Sequence, residues 1–394
     1  MATTSNDNAA PMGTMVRILR LMPEKHASDI YLSANAPATI RINGECIPIN
    51  SQILPPDAPL TLLAEVVPPE RIEELKQTLE LNMALSLPGV GRFRISAMVQ
   101  RSTVAVVIRL INNEIPPLAN LGLPPSLADL MLQKRGLILM VGATGAGKST
   151  TLAAMIDHRN VNMSGHILTI EDPVEFLFRN KRSIINQREV GPDTRSAEVA
   201  LKNALRQAPD VILIGEVRDR DTMTAAIAYA QTGHLCLATM HANNSYQALN
   251  RILSFYPAEV RMTMLGDLSA ALKAIISQRL LPNIAGTRTA TVEIMQNTKL
   301  VSELIEKGDF SGIQEAMSKS MAEGSQTFEE DIARLITTGV IDRKDGLAYA
   351  DSPTNLMWRL QNDFSSRTKA HAAVDDHDDD DEPTFTEITL DHNH

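Results

Sequence analysis

The first third of the chain combines alternating and helical patterns of apolar residues. Asp29 to Ser33 and both halves of Gly91 to Ile111 alternate between apolar and polar positions, which predicts half-buried strands. Residues 12–22 and 58–80 carry apolar residues at helical spacing instead. Asn43-Gly44 separates two short strand-like runs and favours a tight hairpin. Together these patterns predict an α+β domain.

The pattern changes after a proline-rich stretch, where short and almost entirely apolar runs alternate with helical ones. Strands are predicted at residues 137–142, 167–170, 183–187, 210–214 and 234–240. Strands that are buried on both faces lose their alternation, so this part of the chain is expected to be an α/β fold with a parallel sheet. The amphipathic stretch 259–281 is predicted as one long helix that ends at Pro282, and helices are predicted from 298 to 367.

These patterns divide the chain into six predicted segments. They are a disordered N-terminus at 1–14, the α+β domain at 15–111, a linker at 112–125, the α/β core at 126–297, a helical region at 298–367 and a disordered acidic tail at 368–394. The linker contains four prolines, which fit neither a regular helix nor a central strand.

Charge is concentrated at the C-terminus. Residues 371–394 contain nine acidic residues and no Lys or Arg, so the other 370 residues carry a net charge of only −1. The tail is expected to solubilise the protein or to dock on a basic partner surface. A nearly neutral body without a basic stripe argues against nucleic acid as the principal partner.

Composition points to a cytoplasmic protein. Apolar residues make up 44% and charged residues 21%, as in ordinary globular proteins. No transmembrane segment is predicted, because no run approaches the roughly 20 apolar residues that a spanning helix needs, and residues 1–11 are polar. Cys46 and Cys236 stand far apart, which excludes a tetracysteine zinc site.

A phosphate-binding loop is the strongest chemical feature of the sequence. Gly142-Ala143-Thr144-Gly145-Ala146-Gly147-Lys148-Ser149-Thr150 matches the pattern G-x-x-x-x-G-K-[ST] and directly follows an apolar strand. Its glycines let backbone N–H groups point at phosphate oxygens, and the helix that follows adds its positive end. We expect Lys148 to reach the β- and γ-phosphates and the Ser149 hydroxyl to hold Mg²⁺.

Three further polar clusters follow predicted strands. The first contains the carboxylates from Glu171 to Glu175, and the second is Gly215-Glu216-Val217-Arg218-Asp219. The third places His234 and His241 at the two ends of one strand. Ligands bind at the carboxyl ends of strands in such sheets, so we expect a catalytic site there.

In this order the four motifs resemble those of the secretion ATPases, and the strings 169–176 and 232–234 are similar to the type IV pilus retraction ATPases of the PilT/PilU family. The resemblance runs from about residue 15 to residue 362. It implies a RecA-like P-loop ATPase core with a smaller N-terminal α+β (PAS-like) domain and C-terminal helices. The segments 297–308, 326–328 and 349–352 look like the PilU subgroup.

Roles for the individual residues follow from the chemistry and from this resemblance. Glu171 is expected to polarise the attacking water and Glu216 to support Mg²⁺, although these two roles are interchangeable at this stage. His234 and His241 are candidate sensors of the γ-phosphate, with a structural role equally open for His241. Arg94 and Arg109 resemble arginines of the N-terminal domain that contact phosphate in the family. Arg92 and Arg101 are nearby alternatives. Arg94 and Arg109 could instead be ordinary solvated strand residues.

The resemblance implies an Mg²⁺-dependent ATPase that forms a homohexamer at the cytoplasmic face of the inner membrane. It would drive or assist type IV pilus retraction and twitching motility, with a PilT-type paralogue and an inner-membrane platform protein as partners. Two alternatives remain open. One is a nucleotide-binding regulatory or structural subunit of the same machine, and the other is a secretion ATPase of another envelope system.

Overall fold

The computed structural model describes residues 13–42, 44–111, 114–319, 322 and 324–372. Most of the predicted N-terminal disordered segment and most of the acidic tail lie outside these residues, as does Asn43 of the predicted hairpin. Within the described part of the chain, no helix combines the length and hydrophobicity that a membrane crossing requires.

An antiparallel sheet forms the N-terminal part, with strand order β3-β2-β1-β6-β5-β4. Its strands are β1 (Asp29–Leu32), β2 (Pro37–Ile42), β3 (Glu45–Ile53), β4 (Glu80–Leu87), β5 (Gly91–Gln100) and β6 (Thr103–Ile111). Helices α1 (Thr14–Glu24), α2 (Ala58–Ala64) and α3 (Pro69–Thr78) share one apolar core with this sheet. The alternation along β5 buries Phe93, Ile95 and Ala97 and leaves Arg94 exposed on the other face.

A second sheet of seven strands, in the order β13-β12-β7-β11-β10-β8-β9, forms the centre of the molecule. Its strands are β7 (Gly136–Val141), β8 (Gly165–Glu171), β9 (Ser183–Glu189), β10 (Val211–Ile214), β11 (Leu235–Met240), β12 (Leu272–Pro282) and β13 (Arg288–Gln296). All neighbours are parallel except β12 and β13. The five strands predicted from apolar runs are therefore confirmed.

Helices cover both faces of the second sheet, and each face has its own apolar core. They are α4 (Ser126–Met131), α5 (Lys148–Asn162), α6 (Ala197–Ala204), α7 (Arg220–Gln231), α8 (Ser245–Ser254) and α9 (Arg261–Ala271). Burial on both sides explains why β7 and β10 are apolar at every position.

The prediction of one long helix over 259–281 is wrong. Helix α9 ends at Ala271, and the chain continues directly as β12, which pairs with β7 inside the sheet. Ala274, Ile275 and Ile276 are fully buried there. A short apolar run has the same appearance in a buried strand and in a buried helix, so its spacing alone did not separate the two.

Among the described residues after 298, the regular elements are helices, as predicted. Its helices are α10 (Lys299–Lys307), α11 (Ile313–Ser318), α12 (Phe328–Thr337), α13 (Arg343–Tyr349) and α14 (Pro353–Ala372). Leu281 at the end of β12 packs among apolar residues of α12 and α14. Arg279 on the same strand stacks on Phe328 with its guanidinium carbon 3.9 Å from the ring centre, and its Nη1 donates to the Tyr349 carbonyl at 2.7 Å. The helical region is thus attached to the sheet through β12.

Candidate functional site

The predicted phosphate loop connects the buried strand β7 to the N-terminus of α5. Gly145 and Gly147 have φ angles of 78° and 82°, a left-handed conformation that favours glycine. Lys148 begins α5, and its ammonium donates to the carbonyls of Gly142 and Ala143 at 2.8 and 2.9 Å. The loop therefore curls around the lysine side chain, as a phosphate-binding loop requires.

Gln278 on β12 holds this loop from the side of the sheet. Its Nε2 donates to the Ala146 carbonyl at 2.8 Å, and its Oε1 accepts from the Thr151 hydroxyl at 2.8 Å. A Cβ on Gly147 would lie 2.9 Å from the same amide nitrogen. Because Gln278 is almost fully buried, it is a fixed support for both the loop and the first turn of α5.

A cleft of about 490 Å³ opens at the carboxyl ends of β7, β8, β10 and β11. This is where a parallel sheet binds its ligands. Its polar lining includes Thr144, Lys148, Ser149, Glu171, Asp172, Glu175, Arg195, Glu216, Arg218, Asp219, Thr239 and His241. The loop, the acidic cluster, the second strand end and one histidine are thus brought together in one place.

Glu171, at the end of β8, is the carboxylate held in the less polar surroundings. Burial raises the pKa of Glu171 above its ordinary value. Hydrogen bonds that stabilise the charged form reduce this rise without cancelling it. The Thr169 hydroxyl donates to its Oε1 at 2.6 Å, and the Gln187 amide donates to the same oxygen at 3.3 Å. These two contacts fix the orientation of the carboxylate.

Glu216, just after β10, is held among cations. Burial raises the pKa of Glu216, but the hydrogen bond and charge of Arg218, together with His241 and Lys148, outweigh burial, so the pKa lies below its ordinary value. Arg218 Nη2 approaches Glu216 Oε2 at 2.6 Å, and His241 Nε2 lies 3.2 Å from Oε1. The two carboxylates are therefore driven to opposite pKa shifts, which is the arrangement that separates a base from a permanently charged group.

Gly215 lets the two strand ends approach each other. Its N–H donates to the Ile170 carbonyl at 2.8 Å, and a Cβ at this position would lie 3.1 Å from the Glu171 Cα. Val217 N–H donates to the Thr239 carbonyl at 2.8 Å, which ties the segment to β11 on its other side. A side chain at this position would therefore crowd the Glu171 backbone, which glycine avoids.

The two predicted histidines lie at opposite ends of β11. His241 follows the carboxyl end and lines the cleft next to Glu216. His234 precedes the amino end, where its Nδ1 lies 3.2 Å from the Tyr229 carbonyl and its ring meets Tyr229 edge-on. The structure does not bring His234 into the cleft, and its contacts within the chain are those of a structural residue.

Arg94 and Arg109 face each other across β5 and β6, outside the cleft of their own chain. Arg109 Nε donates to the buried carboxylate of Asp29 at 2.8 Å, whereas the Arg109 side chain itself is 66% exposed. Arg94 is also exposed. The alternative Arg92 is different, because it is mostly buried and contacts Glu189 of the α/β core.

Sequence reasoning missed three groups of this site. Arg195 and Arg218 supply cations to the cleft from the core itself, and Gln278 supports the loop from 132 positions further along the chain. Arg218 lies two residues after Glu216 in the motif 215–219, and this proximity was the available signal. Gln278 lay in the stretch predicted as helix, which hid its position beside the loop. Of the nine predicted loop residues, Thr144, Gly145, Lys148 and Ser149 line the cleft, and Thr150 is among those that do not.

The fold and the site define a P-loop ATPase, with a phosphate loop, two carboxylates and two arginines at the carboxyl edge of a parallel sheet. Residues 7–341 match the family described as Type II/IV secretion system protein, and the chain belongs to this family as a secretion ATPase of the PilT/PilU type. The chain is 48% identical to the type IV pilus ATPase PilU of Pseudomonas aeruginosa over 86% of its own length and 89% of that protein.

Two other similarities support this assignment. The type IV pilus retraction ATPase PilT of the same organism is 35% identical over 86% of this chain and 99% of its own length. A crystal structure of the pilus retraction motor PilT with bound ADP superposes with a TM-score of 0.82 at 37% identity, covering 87% of this chain and 98% of that one. The predicted RecA-like core with an N-terminal domain is thereby confirmed, as is nucleotide binding by the family.

Proposed function

We propose that this protein hydrolyses ATP with Mg²⁺ and uses the energy to drive or assist the retraction of type IV pili. One observation carries the chemistry: Glu171 and Glu216 share a cleft with Lys148, and their surroundings shift their pKa values in opposite directions. The names of the two Pseudomonas aeruginosa relatives described above support the pilus system.

The opposite pKa shifts support different roles for the two carboxylates that the sequence left interchangeable. Glu171 has the raised pKa and two hydrogen-bond donors that orient it, so it positions the attacking water and accepts its proton. The water oxygen bonds to the γ-phosphorus as the bond to the bridging oxygen of ADP breaks. Lys148 and the N–H groups of the loop stabilise the charge on the phosphate oxygens.

The residues present fit a magnesium ion. Ser149 offers a hydroxyl oxygen, and Glu216 a carboxylate that its cationic neighbours keep charged. Among the residues that the structure describes, no three His, Cys, Asp or Glu side chains form a metal cage. Such sparse oxygen ligation suits Mg²⁺, which retains waters and binds mainly through nucleotide phosphates. Bound there, Mg²⁺ would neutralise charge that develops between the β- and γ-phosphates.

Arg94 and Arg109 require either a domain movement or a neighbouring chain before they reach a nucleotide. Both are exposed, and both lie outside the cleft of their own chain. The family resemblance implies a homohexamer, and we propose that each N-terminal domain in it turns towards a nucleotide cleft as ATP binds and turns away as products leave. Charge-assisted bonds from these arginines to phosphate would favour one arrangement over the other.

The cellular role that fits best is an accessory motor. Identity to PilU exceeds identity to PilT, 48% against 35%, over the same 86% of the chain. We propose that the protein acts with a PilT-type paralogue and an inner-membrane platform protein at the cytoplasmic face of that membrane. The six segments predicted from the sequence serve as its domain organisation in this proposal.

Phosphate release by the purified full chain tests the activity. Wild type should release phosphate in the presence of Mg²⁺ and ATP, and Lys148→Ala and Glu171→Gln should each lower kcat by at least about 100-fold. Glu198→Gln, which breaks only an exposed ion pair with Lys202, should retain activity and serves as the control. Wild-type turnover no higher than that of the two site variants contradicts the enzymatic function.

Deletion of the gene tests the pilus role. Twitching motility should weaken in the deletion strain and recover with the wild-type gene but not with Lys148→Ala. The accessory role further predicts no retraction by this protein when the PilT-type paralogue is absent. Unchanged twitching in every background would contradict the pilus role and favour a secretion ATPase of another envelope system.

A further inference from the structure

Among the described residues, one buried ion pair joins the two sheets. It lies at the end of β9, beside Glu171. Arg92 on β5 donates from Nη2 to Glu189 Oε2 at 2.6 Å, and the two side chains are only 13% and 6% exposed. Glu189 is the last residue of β9, and it lies in register with Glu171 at the end of the adjacent strand β8. The contact therefore joins the N-terminal sheet to the edge of the catalytic cleft.

The same carboxylate oxygen also holds the acidic loop that follows Glu171. Glu189 Oε2 accepts from the backbone N–H of Val174 at 3.1 Å, and Val174 is buried. The residues on either side of Val174, Pro173 and Glu175, line the cleft. One oxygen atom thus connects an arginine of one domain with the backbone of a loop that shapes the catalytic site of the other.

The position of Arg92 couples this contact to the other arginines. Arg92 and Arg94 are two residues apart on β5, so they lie on the same face of the strand. A rotation of the N-terminal sheet against its own core therefore moves Arg92 and Arg94 together. Arg92 Nε is buried without a hydrogen-bond partner among the described residues, so the guanidinium is only partly satisfied in the present contact.

We propose that Glu189 is a positioning residue through which the N-terminal domain controls the orientation of Glu171. While Arg92 pairs with Glu189, the carboxylate holds the loop at Val174 and keeps the neighbouring strand end in place for water activation. When the domain turns away as products leave and the pair breaks, the loop is released and further hydrolysis slows. This inference rests on the ATPase activity proposed above.

A double-mutant cycle on the full chain tests the proposal. Arg92→Gln should lower kcat about tenfold and change KM for ATP by less than about twofold, because orientation of the base is lost and nucleotide binding is not. Arg92→Lys keeps the charge and should recover most of kcat. Arg92→Gln combined with Glu189→Gln should be no worse than the more impaired single variant, because the two residues act as a unit.

Hydrogen exchange provides a measurement that does not depend on turnover. Amides in residues 172–178 should exchange at least about five times faster in Arg92→Gln than in wild type, since the Val174 N–H loses a firmly held acceptor. Lys76→Gln is the matched control, because it removes an exposed ion pair within the N-terminal domain alone. It should change neither kcat nor exchange at these residues.

The outcomes separate this inference from the proposed function. An active wild type in which Arg92→Gln has unchanged or increased kcat, or unchanged exchange at 172–178, overturns the inference and leaves the ATPase assignment intact. An inactive wild type overturns the ATPase assignment, and exchange still reports whether Arg92 holds the loop. If Arg92→Gln fails to fold, Glu189→Gln removes the same ion pair and carries the same comparison, with Arg92→Lys as the variant expected to keep most of kcat.

Discussion

At the scale of single residues, the neighbouring side chains give the two glutamates of the cleft different pKa values. Thr169 and Gln187 orient Glu171 in a buried position, and Arg218 keeps Glu216 charged. The same residue type at two strand ends therefore acquires different chemistry. The difference arises from side chains that contact each carboxylate, so the motifs alone did not determine it.

The raised pKa of Glu171 predicts the acid limb of the rate profile. A base must be deprotonated to work, so kcat should fall with decreasing pH at a higher pH than an ordinary glutamate would give. Thr169→Val removes a donor that favours the charged form and should move this limb to still higher pH. Thr337→Val on α12 is the control. A limb that does not move in Thr169→Val contradicts the assignment of Glu171 as the base.

Gln278 offers a second test at this scale. Gln278→Leu leaves the Ala146 carbonyl and the Thr151 hydroxyl without their buried partner. We expect the free energy of unfolding to fall by about 1–3 kcal/mol for the unsatisfied groups. We also expect KM for ATP to rise, because the loop loses its support. Urea unfolding and steady-state kinetics measure the two effects, and a stability loss with unchanged KM would limit Gln278 to a structural role.

At the scale of elements, the sequence predicted the strands that are covered on both faces and bounded by turns. It failed for β12, which follows a helix directly. Apolar runs at 137–142 and 210–214 became β7 and β10, because a strand covered on both faces is apolar throughout. β12 was missed because it follows α9 without a turn, which removes the usual boundary between a helix and a strand. Long-range contacts such as Gln278 with the phosphate loop require the sheet order, which no local pattern contains.

Glu293 on β13 links three elements and should give stability a characteristic dependence on pH. Its buried carboxylate accepts from the Ser245 N–H at 2.7 Å and from the Ser277 hydroxyl at 2.9 Å, which joins α8 and β12 to β13. Burial raises its pKa in the folded protein, despite these hydrogen bonds. The folded state therefore binds the proton more tightly, and stability decreases as pH rises from the unfolded to the folded pKa.

The expected result is a smaller difference in stability between pH 5 and pH 8 for Glu293→Gln than for wild type. The substitution removes the only titration at this position and keeps an acceptor for the Ser245 N–H. Denaturant unfolding at both pH values measures this difference. Glu315→Gln, at an exposed surface position, is the control. Equal differences in Glu293→Gln and wild type would contradict the raised pKa.

At the scale of the whole molecule, the two sheets carry complementary parts of one proposed site. The α/β core provides the cleft, and the N-terminal sheet provides exposed arginines that do not reach that cleft within the chain. The Arg92 contact with Glu189 also holds the N-terminal sheet against its own core. We therefore expect Arg94 and Arg109 of one chain to contact the phosphates of a nucleotide bound to a neighbouring chain.

Mixed assemblies test this expectation. Chains with Arg94→Ala and Arg109→Ala should be inactive alone, and so should chains with Glu171→Gln. If the arginines act on a neighbour, an equal mixture of the two should regain up to about a quarter of wild-type phosphate release, because random pairing completes that share of sites. The separate proteins, assayed at the same total concentration, are the control. No recovery after exchange of subunits would assign the arginines to their own chain.

The alternation along β12 has a consequence for communication across the molecule. Gln278 faces the phosphate loop, and the next residue, Arg279, faces the C-terminal helices, where it contacts Tyr349 and Asp351. A protein that docks on those helices and shifts the strand would thereby alter affinity for nucleotide. Thermodynamic reciprocity then demands that ATP alter the affinity of that docking partner by the same factor.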